Sequence, residues 1–155
     1  MQFLREAFST PIPQVYYNQL HNFDFKQIKE VLSKDTIYSS FSQGQQKSDK
    51  QLILTELEKK VINKEIDSQI DFKWEANLFE GSKMIEKDRT TFADVMKMNT
   101  SIYSFSKPIF IRNDSICIVY NQYTCGIECG QGTINIYRKV NNKWMEWIFL
   151  IQWIS

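Results

Sequence analysis

Between Lys107 and Ser155 four strand-like stretches follow one another with only turn signals between them, and this run constrains the fold more than any other feature of the chain. KPIFIR ends at the turn cluster Asn113, Asp114, Ser115; ICIVYNQY is rich in β-branched and aromatic residues; TINIYRKV alternates apolar with polar positions. Asn141 and Asn142 then have the composition of a two-residue hairpin turn before KWMEWIFLIQWIS. The pattern predicts an antiparallel meander. A meander has an apolar face that must be covered, so the preceding segments have to supply the cover.

They read mainly as helices. VYYNQLHNFDFKQIKEVL predicts a helix capped by Asn22 or Asp24, with Phe25, Ile28, Val31 and Leu32 along one face. SDKQLILTELEKKVINKEI predicts a second, in which Ser48 and Gln51 fit a capping box and Leu54, Leu57, Val61, Ile62 and Ile66 line one stripe. Glu58, Lys59, Lys60 and Lys64 lie opposite and read as a solvated face. Ile70, Phe72 and Trp74 alternate with Asp71, Lys73 and Glu75, which predicts a first strand. Phe92, Val95 and Met96 suit a short helix, and SIYSF suits a strand. The segregation of helical and strand patterns predicts a single α+β domain over residues 1–155. Its N-terminal helices pack on one face of a curved antiparallel sheet, nuclear-transport-factor-2-like (NTF2-like) or cystatin-like. The expected core is Leu54, Leu57, Val61, Ile116, Ile118, Ile134, Ile136, Trp144 and Ile148.

Charge narrows the partners. Nineteen Lys and Arg against eighteen Asp and Glu leave a net charge of +1, too little for the long-range attraction to phosphate that nucleic-acid binders use. The longest apolar run, WIFLI, falls far short of the roughly twenty residues of a membrane span. A charged pair, Arg5 and Glu6, stands where a leader would carry its apolar centre. The expectation is therefore a cytoplasmic protein, or an exported one whose leader has been removed. A protein partner is compatible with these features, and the oligomeric state is open.

TCGIECGQG, residues 124 to 132, holds two of the three cysteines and three of the five glycines. Three readings compete. A zinc site would have to draw on Cys117, Cys125, Cys129 and His21, but Cys117 and Cys125 in one continuous strand lie roughly 26 Å apart, too far to share an ion. A nucleophilic cysteine needs a positioned base, and nothing in the sequence places His21 beside Cys125 or Cys129. H-E-x-x-H, G-x-S-x-G and phosphate-loop patterns do not occur, so no catalytic residue, metal or cofactor is assigned. The third reading is a stapled turn. Gly126, Gly130 and Gly132 act as turn glycines, a Cys125–Cys129 disulfide closes the excursion, and Cys117 is a buried free thiol.

The span from Ser106 to Ser155, with SKPIF, ICIVYNQYTCGIECGQG, YRKVNNKW and the closing WIS, resembles a widespread group of uncharacterised small proteins of the Bacteroidota. Their shared tail runs as a strand, a Y-x-C-G-x-x-C-G-x-G loop, a strand, an N-G-K-W-like turn and W-I-S. Here Asn142 stands where that group has glycine, so the turn must accept asparagine at positive φ. Many members look exported or lipid-anchored. The resemblance thus implies a periplasmic or cell-envelope location and an oxidised Cys125–Cys129 pair, and it transfers no activity. Tyr120, Tyr123, Tyr137, Trp147 and Trp153 are concentrated on a sheet that helices are expected to cover on one side only. They are the candidate binding aromatics of a non-enzymatic binding or interaction domain. The alternatives are an immunity or inhibitor protein that neutralises a toxin, and a small-ligand pocket or hydrolase in the cone of the sheet.

Overall fold

Strand pairing along the C-terminal third organises the molecule, seen here in a computed structural model that describes residues 2–9, 11–20, 22–40, 50–75, 77–126 and 128–155. In chain order the elements are α1 (Gln2–Ala7), β1 (Val15–Tyr17), α2 (Asn22–Leu32), β2 (Thr36–Tyr38), β3 (Gln51–Ile53), α3 (Glu56–Asp67), β4 (Lys83–Ile85), α4 (Phe92–Met98), β5 (Ile102–Phe105), β6 (Ile109–Ile111), β7 (Ile116–Gly126), β8 (Cys129–Val140) and β9 (Lys143–Ile154). A 3-10 turn at Lys87–Arg89 precedes α4. The fold is α+β, and the sheet is open.

The meander forms as the sequence predicts: β6, β7, β8 and β9 pair antiparallel in succession. Asn141 and Asn142 both hold positive φ, 50° and 60°, as a two-residue hairpin turn requires. The full order β4-β1-β5-β7-β8-β9 is mixed rather than purely antiparallel, because β1 lies parallel to both β4 and β5. β5 and β6 lie end to end along β7, on residues 121–124 and 116–118. Register shifts in β9 near Trp147 and near Gln152 bend the last pair. β2 and β3 form a separate two-stranded sheet, tied to β9 where Ser40 N donates to Phe149 O at 2.9 Å.

Both faces of the sheet are covered, which corrects the expected one-sided cover. On one face, Phe25, Ile28 and Leu32 of α2 and Ile62 and Ile66 of α3 pack on Ile116, Ile118, Ile134, Ile136, Ile148 and Leu150. On the other, Phe3 and Leu4 of α1 join Trp74, Leu78 and Phe79 over Phe105, Cys117, Val119 and Tyr137. The helix α1 carried no sequence expectation. Its Phe3 ring stands edge-on to Tyr137 and Trp144, each 5.1 Å away, and Arg5 Nε donates to Leu78 O at 2.8 Å. The expected strand at Ile70 to Trp74 is irregular chain instead, turned at Asp71 by a φ of 63° so that Trp74 Nε1 can reach Phe105 O at 3.2 Å.

α3 also starts later than expected. Thr55, and not Ser48, caps it in a reciprocal box with Glu58, because Gln51 to Ile53 are drawn into the small sheet. Ser48 lies outside the described residues. The shifted start turns Leu57 and Val61 outward, 72% and 42% exposed, while Ile62 and Ile66 are buried. Of the other expected core residues, Leu54, Ile116, Ile118, Ile134, Ile136 and Ile148 are buried and Trp144 is half-buried.

Candidate functional site

Side chains alternate across a strand, so one row of residues on one face can be followed from strand to strand. On the face that carries α2, Ser104 of β5 stands beside Gln122 of β7, Gln122 beside Gly132 of β8, and Gly132 beside Trp153 of β9. The next row toward the strand ends is Ile102, Thr124 and Gly130. Beyond the N-terminal end of α2 no described residue covers these rows, and they become the floor of a cleft of about 600 Å³. Tyr17, Ile102 and Trp153 give it apolar walls; Asp24 and Gln27 of α2 and Lys87 of the 3-10 turn close it with polar groups.

The two β8 glycines explain how Trp153 reaches this place. Neither Gly130 nor Gly132 has positive φ, so neither is the turn glycine expected; only Gly126, at φ +150°, has that backbone among the three. They are sites of close approach. A Cβ on Gly132 would lie 2.6 Å from Tyr120 Oη and nearer still to Trp153 Nε1, and one on Gly130 would lie 3.0 Å from the Trp153 ring. The bare backbone forms a trough in which the indole lies, and Trp153 Nε1 donates to Tyr120 Oη at 3.1 Å.

Tyr120 sits beneath the cleft as a polar node. Its hydroxyl proton has two acceptors in reach, Gln122 Oε1 at 3.0 Å and Asp24 Oδ1 at 3.4 Å. Burial first, and the Asp24 charge second, push the phenol well above its ordinary range, so it stays a neutral donor. Asp24 is itself buried.

Lys87 supplies the opposite charge. Its ammonium lies over the Tyr17 ring, 5.1 Å from the centroid, and burial lowers its pKa although Asp24 and Asp88 pull it back up. Lys87 also borders the adjoining hollow that contains Asp88. The Asp88 carboxylate there already accepts from Lys73 Nζ at 2.6 Å and Gln19 Nε2 at 2.7 Å. Among the described residues the Lys87 ammonium makes no ion pair or hydrogen bond.

The five candidate aromatics do not form one patch. Trp153 walls the cleft and Tyr120 is buried under it. Tyr123 borders the cleft, but strand alternation sends its ring to the opposite face, where it lies 5.7 Å from Tyr103. Tyr137 is buried on that opposite face, and Trp147 packs at the β9 irregularity with the Arg138 guanidinium 5.1 Å from its ring. Tyr120 and Tyr137 are buried and Tyr123, Trp147 and Trp153 are partly buried, on two faces of the sheet.

Cys125 and Cys129 face each other across the β7–β8 connection with their sulfurs at disulfide distance and their Cα atoms 5.1 Å apart. Cys117 is free and buried, and burial raises its thiol pKa. No group of three or more His, Cys, Asp or Glu that could hold a metal ion occurs among the described residues, and His21 lies outside them. No helix of the described residues is long and apolar enough to cross a membrane.

Sequence reasoning missed Tyr17, Asp24, Ser104, Gln122 and Lys87 as site residues. Asp24 is legible in the sequence only as a helix cap, and Lys87 carries no sequence expectation. The parallel insertion of β1 between β4 and β5 assembles them, and no local pattern announces that pairing. Comparison with protein-family models, with curated proteins and with solved structures finds no match. The cleft's own chemistry therefore has to carry the functional argument.

Proposed function

We propose that this protein is a small-ligand-binding domain whose site is the cleft between the N-terminal end of α2 and the β5, β7 and β9 rows of the sheet. The observation that carries the reading is the cleft itself. Its volume of about 600 Å³ falls within the roughly 300 to 1,000 Å³ of small-molecule sites. Apolar walls and a few convergent polar groups are the composition such sites have, the walls supplying affinity and the polar groups orientation. A binding domain of this kind keeps the binding half of what the sequence suggests and moves it from an exposed aromatic face to a concave one.

A fragment screen by ligand-observed and ¹H–¹⁵N NMR tests the reading. Small aromatic fragments should shift the Trp153 indole resonance, assigned by its loss in Trp153→Phe, and the amides of Ser104, Gln122 and Thr124. Binders that leave these signals unmoved place the site elsewhere. An extracytoplasmic home belongs to the same proposal, supported by the disulfide-distance pair Cys125 and Cys129. It is tested by locating the tagged protein in fractionated cells.

A further inference from the structure

The polar groups of the cleft differ in what they leave available, and this difference selects a ligand charge. The Tyr120 hydroxyl is committed to Trp153, Gln122 and Asp24. Asp24 is buried and shares that hydroxyl's one proton with Gln122. Lys87 is the exception. Its backbone N–H donates to Asn18 Oδ1 at 3.2 Å, which fixes the turn that carries it, while its ammonium lies over the face of Tyr17 in the field of Asp24 and Asp88 and, among the described residues, makes no hydrogen bond or ion pair. A ring face satisfies an ammonium incompletely, since it offers no lone pair to any of the three N–H donors.

A cationic ligand drawn toward Asp24 or the Tyr17 ring would find Lys87 already there. A neutral apolar ligand would fill the walls and leave the ammonium less hydrated than in the empty cleft, at a cost. An anion completes it. Resting on the small-ligand reading above, we propose that the cleft takes a small aromatic or apolar organic carboxylate, its head group bound by the Lys87 ammonium and its apolar body lying between Tyr17, Ile102 and Trp153. Among the described residues of the cleft Lys87 is the one cation, and it stands at the edge of the apolar walls, which fits a ligand charged at one end only.

Three probes of one size and shape test this: phenylacetate, 2-phenylethanol and phenethylamine, titrated into the full-length protein and followed by the Trp153 indole resonance. Phenylacetate is expected to bind most tightly. Lys87→Met should weaken it roughly ten- to a hundred-fold, the worth of a charge-assisted hydrogen bond, while leaving 2-phenylethanol within about two-fold. Lys87→Arg, which keeps the cation, should restore at least part of the loss. The thermal midpoint of each variant confirms that the comparison is between folded proteins, and Lys87→Arg supplies the comparison that keeps the charge. Phenethylamine or 2-phenylethanol binding as well as phenylacetate, or phenylacetate binding unchanged in Lys87→Met, overturns the anion preference and leaves the small-ligand site standing. Failure of all three probes to move the Trp153 signal overturns both.

Discussion

Trp153 donates its indole N–H to Tyr120 Oη across Gly132, a 3.1 Å hydrogen bond made possible by a residue without a side chain. This contact links the last strand to the centre of the sheet and sets the wall of the cleft. Gly132→Ala should therefore displace the indole, lose about 1 to 3 kcal/mol of stability and shift the Trp153 indole resonance even without ligand. Urea titration with the NMR spectrum checks it. An alanine variant with unchanged stability and an unmoved indole would show that the trough is not tight.

Of the stripe that the sequence predicts on α3, Ile62 and Ile66 are buried and Leu57 and Val61 are exposed, and the pair that separates the two faces is measurable. Ile62→Ala should cost about 2 to 5 kcal/mol, as for a fully buried side chain that leaves a cavity. Leu57→Ala, on an exposed position five residues earlier, should stay within about 0.5 kcal/mol. Denaturant midpoints of the two variants in parallel decide between the face that the structure buries and the stripe that the sequence suggested.

That error shows where local pattern stops being informative. Period-2 alternation and the Asn141-Asn142 turn make the meander legible, because each strand pairs with its neighbour in sequence. Gln51 to Ile53 have helix-compatible residues but join β2, a tertiary choice that moves the start of α3 and rotates its buried face. The cleft depends still more on distant pairing. Asp24, Ser104, Lys87 and Trp153 meet only because β1 enters the sheet in parallel and β9 bends past two glycines. The sequence marked those glycines as special, yet nothing local distinguishes a turn glycine from one over which an indole lies.

Acid should weaken the molecule at an identifiable place. Arg112 Nε donates to Glu58 Oε1 at 2.7 Å and its Nη2 to Ile53 O at 2.7 Å, tying the β6–β7 turn to the start of α3. The hydrogen bond from Arg112, against an opposing effect of burial and with help from Thr55, holds the Glu58 carboxyl at about 2. A carboxyl depressed on folding contributes stability that is complete above its ordinary value near 4.5 and is lost as pH falls through about 2. Arg112 is 41% exposed, so screening limits the contribution to about 1 to 2 kcal/mol. Glu58→Gln should lower the thermal midpoint at pH 7 and flatten its fall between pH 5 and pH 2; a variant with the parent's full acid slope would assign that slope elsewhere.

Alkali should weaken ligand binding. Burial depresses the Lys87 pKa below its ordinary 10.5, with Asp24 and Asp88 opposing from α2 and the 3-10 turn. The bound anion favours the charged amine, so affinity for phenylacetate should be full below the free protein's Lys87 pKa and decline as pH rises through it. Titrations from pH 7 to pH 10.5 should show that decline in the parent protein and a flat profile in Lys87→Met. Equal slopes in both would mean that another group controls binding.

The cysteines make a separate prediction. Protein alkylated in denaturant without reductant should carry one label, at Cys117, because Cys125 and Cys129 are placed to bond to each other. In the folded protein Cys117 should stay unlabelled, since it is buried and its thiol pKa is raised. Peptide mass spectrometry reads both results. Labels at all three cysteines in denaturant would remove the disulfide and the argument it gives for an oxidising compartment.

The most direct test of the binding cleft is a crystal structure of the protein soaked with phenylacetate. Density for the ring between Tyr17 and Trp153, with the carboxylate within hydrogen-bond distance of Lys87 Nζ, is the predicted result. Phenylacetate seated at another surface with the cleft holding only water would contradict the account.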